Sequence, residues 1–330
     1  MENNNLVKVE NLRKIFPLTT KLFSEAKQKI HAVDDISFNI ANQESLALVG
    51  ESGSGKTTTG KLLVRLIDPT SGHIHINTEG KSVDVGLLKR KELMHFRRYV
   101  QMIFQDPYES LNPRRTIFDI VVEPLIVQKI FDIKEREDRV EQMLTMVGLS
   151  PASTFMFRFP HELSGGQRQR VAIARALVIN PIFVVADEPT SMLDVSVRST
   201  IMDLMQELSD ELGLTYLYIT HDLAVARYMT KKMAVLYTGK IVEFGETEEV
   251  IQHPLHPYTK ALISAVPVPD PTFKRQDPSI IGNIAEPINP KPTCRFLDRC
   301  PIAQDICRKE VHPPLVDKGN NQYVACYMVK

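Results

Sequence analysis

The chain has 330 residues, with forty basic side chains balanced by forty acidic ones, so its formal charge is zero. That balance carries no electrostatic footprint of nucleic-acid binding, and the length points to about two domains. Hydrophobic residues make up 43% of the chain, ample for a buried core, yet no apolar run approaches the roughly eighteen residues that cross a bilayer. The start, Met1-Glu2-Asn3-Asn4-Asn5, lacks the basic-then-apolar character of a secretory leader. The cytoplasm is therefore the expected compartment, and any work at a membrane requires docking onto another protein there.

Taken in order, Val7–Val9 and Ile36–Ile40 read as strands of an antiparallel sheet, separated by a polar segment. Phe16 lies between them, an aromatic able to stack on a base or simply to fill a core. Ser45–Val49 is a short apolar run that reads as a buried strand. It leads into Gly50-Glu51-Ser52-Gly53-Ser54-Gly55-Lys56-Thr57, which fills the pattern G-x-x-x-x-G-K-[ST]. Glycines let the backbone curl until successive N–H groups point at phosphate oxygens; Lys56 can then reach the β- and γ-phosphates, and the Thr57 hydroxyl can hold Mg²⁺. Leu62, Leu63, Leu66 and Ile67 follow at helical spacing, placing the loop at a helix N-terminus. The strand–loop–helix context marks a nucleoside triphosphate site.

Ser71–Ile76 alternates as a half-exposed strand, and the six basic residues in Lys89–Arg98 read as a solvated helix face. Tyr99–Phe104 is a strand ending at Gln105, where an amide could sense the γ-phosphate. From Pro113 to Phe159 the apolar spacing is helical, with Gly148 as a stop. Leu163-Ser164-Gly165-Gly166-Gln167 then opens a helix apolar nearly all round, hence buried. A serine and two glycines at its start form a second anion site. One chain has little use for two γ-phosphate sites unless the second serves a partner's nucleotide. Ile182–Ala186 reads as a parallel strand covered on both faces, and it ends in Asp187-Glu188. There Asp187 is placed to enter a Mg²⁺ shell and Glu188 to orient or deprotonate water. Ser191-Met192-Leu193-Asp194 caps the next helix, and Thr215–Thr220 is a strand running into His221.

These segments, in this order, resemble the ATPase subunits of ABC transporters over about residues 6–250, and Leu163–Gln167 is the discriminating piece. The resemblance implies an α/β phosphate-loop NTPase core with an antiparallel β subdomain and a helical insertion at about 106–164. It assigns base stacking to Phe16 and phosphate binding to Gly50, Ser52, Gly53, Ser54, Gly55, Lys56, Thr57 and Thr58. It makes Gln105 the residue of the Q-loop, Asp187 a metal-shell carboxylate beside Thr57 and Gln105, Glu188 the catalytic base and His221 the switch histidine. Ser164, Gly165, Gly166, Gln167 and Asp194 would meet ATP bound to an opposing subunit. Two departures from the pattern are Met192 where alanine is usual and Phe16 where tyrosine is usual; neither removes a reacting group.

Residues 251–330 narrow the resemblance. His253-Pro254-Leu255-His256-Pro257-Tyr258 and Cys294-Arg295-Phe296-Leu297-Asp298-Arg299-Cys300-Pro301 look like the tail of oligopeptide/dipeptide importer ATPases. Proline richness predicts an irregular extension there. Cys294, Cys300, Cys307 and Cys326 are spaced with five, six and eighteen intervening residues, which fits neither a paired CxxC zinc ribbon nor the ferredoxin run. The resemblance implies a [4Fe–4S] cluster on them; zinc or reduced buried thiols are the alternatives. It also implies an energy-coupling ATPase, peripheral on the cytoplasmic face of the membrane, using ATP and Mg²⁺. Its partners would be a second, non-identical ATPase subunit, two integral membrane permease subunits and an extracytoplasmic substrate-binding protein, without nucleic acid. Di- and oligopeptides are the expected solutes, with oligosaccharide or nickel as alternatives. A DNA-repair ATPase with a very long coiled-coil insertion is excluded, because only 164 − 50 = 114 positions separate Gly50 from Ser164.

Overall fold

The computed structural model describes residues 5–18, 28–266 and 287–329. Its strands are β1 (Asn5–Leu18), β2 (Gln28–Ala41), β3 (Ser45–Val49), β4 (Ser71–Thr78), β5 (Lys81–Asp84), β6 (Val100–Ile103), β7 (Phe183–Asp187), β8 (Thr215–Thr220), β9 (Lys232–Tyr237), β10 (Lys240–Glu246), β11 (Val316–Asp317) and β12 (Tyr323–Val324). They form an antiparallel sheet of order β2-β1-β4-β5 and a larger one of order β11-β12-β10-β9-β3-β8-β7-β6. In the larger sheet β6, β7, β8, β3 and β9 run parallel. Their side chains are buried almost without exception, as expected when both faces are covered. β3 lies between β8 and β9, so the loop after it opens at the carboxyl edge of the sheet, where ligands of such folds bind.

The first two strands are much longer than the two short apolar runs that announce them. β1 and β2 pair from Asn5↔Ala41 out to Leu18↔Gln28, with register shifts between Val9 and Leu12 and between Lys14 and Ile15. Each shift breaks the period-two alternation, so the outer half of the ribbon carries no readable stripe.

The helical insertion holds helices Pro107–Ser110, Ile117–Val127, Ile133–Met146 and Ala152–Met156 before the long helix Gly165–Leu177. Thr116 Oγ1 accepts from Asp119 N at 3.2 Å, which fixes where the second of these helices starts. The third ends at Gly148, whose φ of 75° lets Leu149 N reach Leu144 O and Gly148 N reach Thr145 O. A side chain there would strike Arg170 Nη1 at 2.6 Å. Val140, Leu144, Val171, Ile173 and Leu177 pack with Val184 and Tyr216 into one core, joining the insertion to the sheet.

The described part of the carboxyl-terminal extension, residues 251–266 and 287–329, is largely irregular in backbone but not loosely attached. Tyr258 and Phe296 are buried against Val49, Val235 and Tyr237, so residues far apart in sequence share one apolar cluster with the strand before the phosphate loop. The buried Glu243 carboxylate on β10 accepts from Leu255 N (2.9 Å), His256 N (2.8 Å) and Gln322 Nε2 (2.7 Å). Two histidines, His256 buried and His312 partly buried, complete the attachment. His256 caps the helix Pro257–Ser264 by accepting from Tyr258 N at 3.0 Å, and His312 Nδ1 accepts from Arg295 N at 3.2 Å. Burial drives both pKa values down to about 3, from an ordinary value near 6.5.

This carries a pH dependence. The unfolded chain takes up these protons as pH falls through about 6.5, whereas the fold refuses them until about 3. Stability therefore falls with decreasing pH across that window, by up to about 1.4 kcal/mol per pH unit for each histidine, and is unaffected by them above it. Urea midpoints measured at pH 7.5 and pH 4.5 should show the loss, and His256→Gln should flatten the slope.

Candidate active site

The loop Gly50–Gly55 and the start of the helix Lys56–Leu63 form the floor of a cleft of about 650 Å³, lined also by Ile30, Ala32, Gln105, Glu188, His221, Leu262 and Pro287. The loop needs its glycines: at Gly55, φ is 108° and an added Cβ would lie 2.1 Å from Ala32 O. Lys56 is 5% exposed, and its ammonium donates to Gly50 O (2.7 Å) and Glu51 O (2.9 Å). Burial lowers its pKa against the pull of Glu188, Asp187 and Glu51. It is a cation held beside the loop that an anion would enter.

At the end of β7 the two carboxylates diverge. Asp187 is buried, and Thr57 Oγ1 donates to its Oδ1 at 3.1 Å. Burial raises its pKa, outweighing the hydrogen bond from Thr57. A hydroxyl and a desolvated carboxylate this close form an oxygen-donor pair suited to Mg²⁺. Glu188 turns the other way because its backbone is left-handed, at φ 45°, with its N–H on Ile219 O at 2.8 Å. Its Oε2 accepts from Gln105 Nε2 at 3.0 Å, and its Oε1 lies 2.9 Å from His221 Nδ1. Three residues from the ends of three strands thus meet above the phosphate loop.

The other expected residues lie elsewhere. Phe16 does not line the cleft; it pairs with Ile30, which does, and Lys14 Nζ sits 4.8 Å over its ring. None of Leu163–Gln167 lines the cleft, nor does Asp194. Ser164 is exposed and caps its own helix, its Oγ accepting from Gln167 N at 3.3 Å while its N–H donates to Gln167 Oε1 at 3.0 Å. Asp194 heads the helix Val195–Leu212, and Arg198 braces the turn before it by donating to Leu193 O (2.9 Å) and Ser191 O (3.3 Å). Sequence reasoning missed Arg198, Tyr258 and Arg299; only the quoted tail segments around the last two carried a signal.

Three of the thiols, Cys294, Cys300 and Cys326, are held above the ordinary thiol range. Burial first, then the nearby Cys307, Cys300 and Cys326, raises Cys294 to about 11, and burial raises Cys300 and Cys326. They are not packed as a single-ion site. Among the described residues, the set whose ligand atoms all fall within 4.8 Å is His73, His75 and Asp84, not the cysteines. Tetrahedral zinc, with Zn–S near 2.3 Å, needs sulfurs roughly 3.8 Å apart, so these thiols stand too widely for zinc.

Comparison with known proteins gives the family. Residues 33–191 match the ABC transporter family, and residues 242–307 match the oligopeptide/dipeptide transporter C-terminal region. The chain is 44% identical over 323 residues to a probable peptide ABC transporter ATP-binding protein, y4tS of Sinorhizobium fredii, covering 98% of this chain and 90% of the relative. It is 42% identical over 331 residues to the dipeptide transport ATP-binding protein DppF of Haemophilus influenzae (99% and 98% covered). It is 49% identical over 265 residues to the oligopeptide transport ATP-binding protein OppF of Bacillus subtilis (78% and 85%). Among solved structures, a dimeric post-hydrolysis state of the ATP-binding cassette MJ0796 bound to ADP and Pi superposes with a TM-score of 0.63 at 33% identity, covering 73% of this chain and 98% of that one. The Clostridium perfringens cbiO1, part of the cbiONQ transporter complex, gives 0.64 at 29% identity (76% and 92%). A lysine-bearing phosphate loop, a Glu–Gln–His constellation above it and relatives of this similarity over nearly the whole length place the chain in the ABC transporter ATPase family, on its oligopeptide/dipeptide branch.

Proposed function

We propose that the chain is the ATP-hydrolysing, energy-coupling subunit of a di-/oligopeptide importer, working as half of a head-to-tail ATPase pair. One observation carries this reading: Glu188 is held between Gln105 and His221 directly over the Lys56 loop. The loop N–H groups and Lys56 bind the β- and γ-phosphates of ATP. Thr57 and Asp187 would hold Mg²⁺, which when bound neutralises charge developing on the transferred phosphoryl group. Glu188 takes a proton from the attacking water, His221 steadies the base, and Gln105 orients that water. Phe16, on the same face as Ile30 and one strand outward, would meet the base of the nucleotide.

Ser164–Gln167 and Asp194 lie outside the cleft. The Gly165 and Gly166 N–H groups at the start of the helix Gly165–Leu177 suit the γ-phosphate held by a second subunit, so each ATP would be enclosed by two chains and binding would close the pair. No helix among the described residues is long and apolar enough to cross a membrane. Exposed Tyr108, Phe131 and Phe157 on the helical insertion offer an apolar surface for a permease helix. A non-identical second ATPase, two permease subunits and an extracytoplasmic binding protein complete the assembly in this reading. The cysteines are read as ligands of a [4Fe–4S] cluster on the strength of the four cysteines of the tail, of which Cys294 and Cys300 pack against one apolar cluster; their thiols are too widely set for zinc. Purifying the native complex tests both readings. Co-purified membrane subunits with peptide-stimulated ATPase activity are expected, with iron and acid-labile sulfide in the ATPase chain. Recovery with ribosomes or DNA would reject the transport role, and absence of iron would reject the cluster.

A further inference from the structure

Glu51, the first variable residue of the phosphate loop, has both its carboxylate and its backbone N–H held by the carboxyl-terminal extension. Its carboxylate accepts from Arg299 Nη1 at 2.8 Å and Nη2 at 3.1 Å, a two-pronged, charge-assisted contact. Its N–H donates to Tyr258 Oη at 2.9 Å. Its carbonyl receives Lys56 Nζ, the cation the phosphates need. Backbone donor, backbone acceptor and side chain of one loop residue are thus all committed, two of the three to the extension.

The extension's end of this contact is closely packed. Arg299 closes the short turn Leu297–Arg299, with its side chain 8% exposed. The guanidinium carbon lies 5.7 Å from the Tyr237 ring centre and 6.0 Å from that of Phe296. Tyr237, Tyr258 and Phe296 belong to the cluster that contains Val49, the residue just before the loop, and Cys294 and Cys300 pack against it. The same segment grips the far wall of the cleft: Arg295 pairs with Asp34, and His31 N donates to Pro287 O at 2.9 Å. An isolated surface ion pair would be worth little; this one is buried on the arginine side and ends on the phosphate cradle.

We propose that Arg299 is a positioning residue for the phosphate loop. By holding Glu51 it sets the direction of the loop N–H groups, so nucleotide affinity depends on the conformation of the turn that carries Cys294 and Cys300. The proposal rests on the ATPase reading above and adds a control point to it. Arg299 touches no phosphate itself, so its loss should act on binding and leave the chemical step intact.

The test is a cycle on the full chain: Arg299→Gln, Glu51→Gln and the double variant. Titration with MgATP gives Kd, and steady-state hydrolysis gives KM and kcat. Each single variant should raise Kd and KM about 5- to 150-fold, the usual range for coupling between sites, with kcat at saturation little changed. The double variant should be no worse than either single one, because both remove the same contact. Arg299→Glu combined with Glu51→Arg should recover affinity that Arg299→Glu alone loses, which a packing role for Arg299 would not allow. Unchanged Kd in both single variants, additive losses in the double, or lost kcat at unchanged KM would each overturn the proposal. A parent chain that binds no MgATP would instead sink the ATPase reading.

Discussion

Glu188→Gln should lower steady-state ATP hydrolysis by about 10²–10⁴-fold, the range lost with a general base, while MgATP still binds. The substitution suits the geometry. A glutamine carbonyl can still accept from Gln105 Nε2, and the left-handed turn at φ 45° stays set by the 2.8 Å bond from the residue's N–H to Ile219 O. What disappears is the capacity to take a proton. Phosphate release under saturating ATP, paired with equilibrium nucleotide binding, separates the two effects. Unchanged turnover would move the base to another residue; lost binding would mean that the carboxylate holds the pocket's shape.

Lys56→Ala should act earlier, weakening MgATP binding by roughly 10²–10³-fold, as when one partner of a buried charged contact is truncated. Asp187, Glu188 and Glu51 all act electrostatically on this ammonium. Without it Asp187 and Glu188 face an incoming polyanion with no ammonium beside them, and Gly50 O and Glu51 O each lose the donation from Lys56 Nζ. The fold itself should survive, since strands β3, β8 and β9 do not depend on that side chain for pairing. Calorimetric titration is the check. Affinity within a few-fold of the parent's would show that backbone amides alone hold the nucleotide.

How much was legible depended on how local the cause was. The run Ser45–Thr57 states strand, cradle and helix in consecutive residues, because phosphate binding requires that order. Asp187 and Glu188 were readable for a similar reason: two acids closing a fully apolar strand have few structural excuses. The divergence of their side chains was not, since it comes from one left-handed residue. The β1–β2 ribbon was under-read because its irregular register erases alternation. Phe16 was read as able to stack on a base, yet it does not line the cleft, and no local pattern states how far out a strand stands. The tail was the least legible. Its prolines mark irregular backbone, while Tyr258 and Phe296 find Tyr237 only through tertiary packing. Glu243, polar and fully buried, looks from sequence like an ordinary strand-edge acid.

The pairing of β12 with β10, and of β11 with β12, has a practical consequence for anyone wishing to isolate the ATPase half. Cut after Gln252, the protein would present the outer rim of β10 as an open ladder of amides and carbonyls, with Phe244 on it, ready to recruit another molecule. In the whole chain that ladder ends in a two-residue strand carrying Asp317, followed by Lys318 and a glycine turn, which offers a neighbour little to zip onto. The tail thus acts as the sheet's hem, and shortened versions should fall out of solution before their catalysis can be judged.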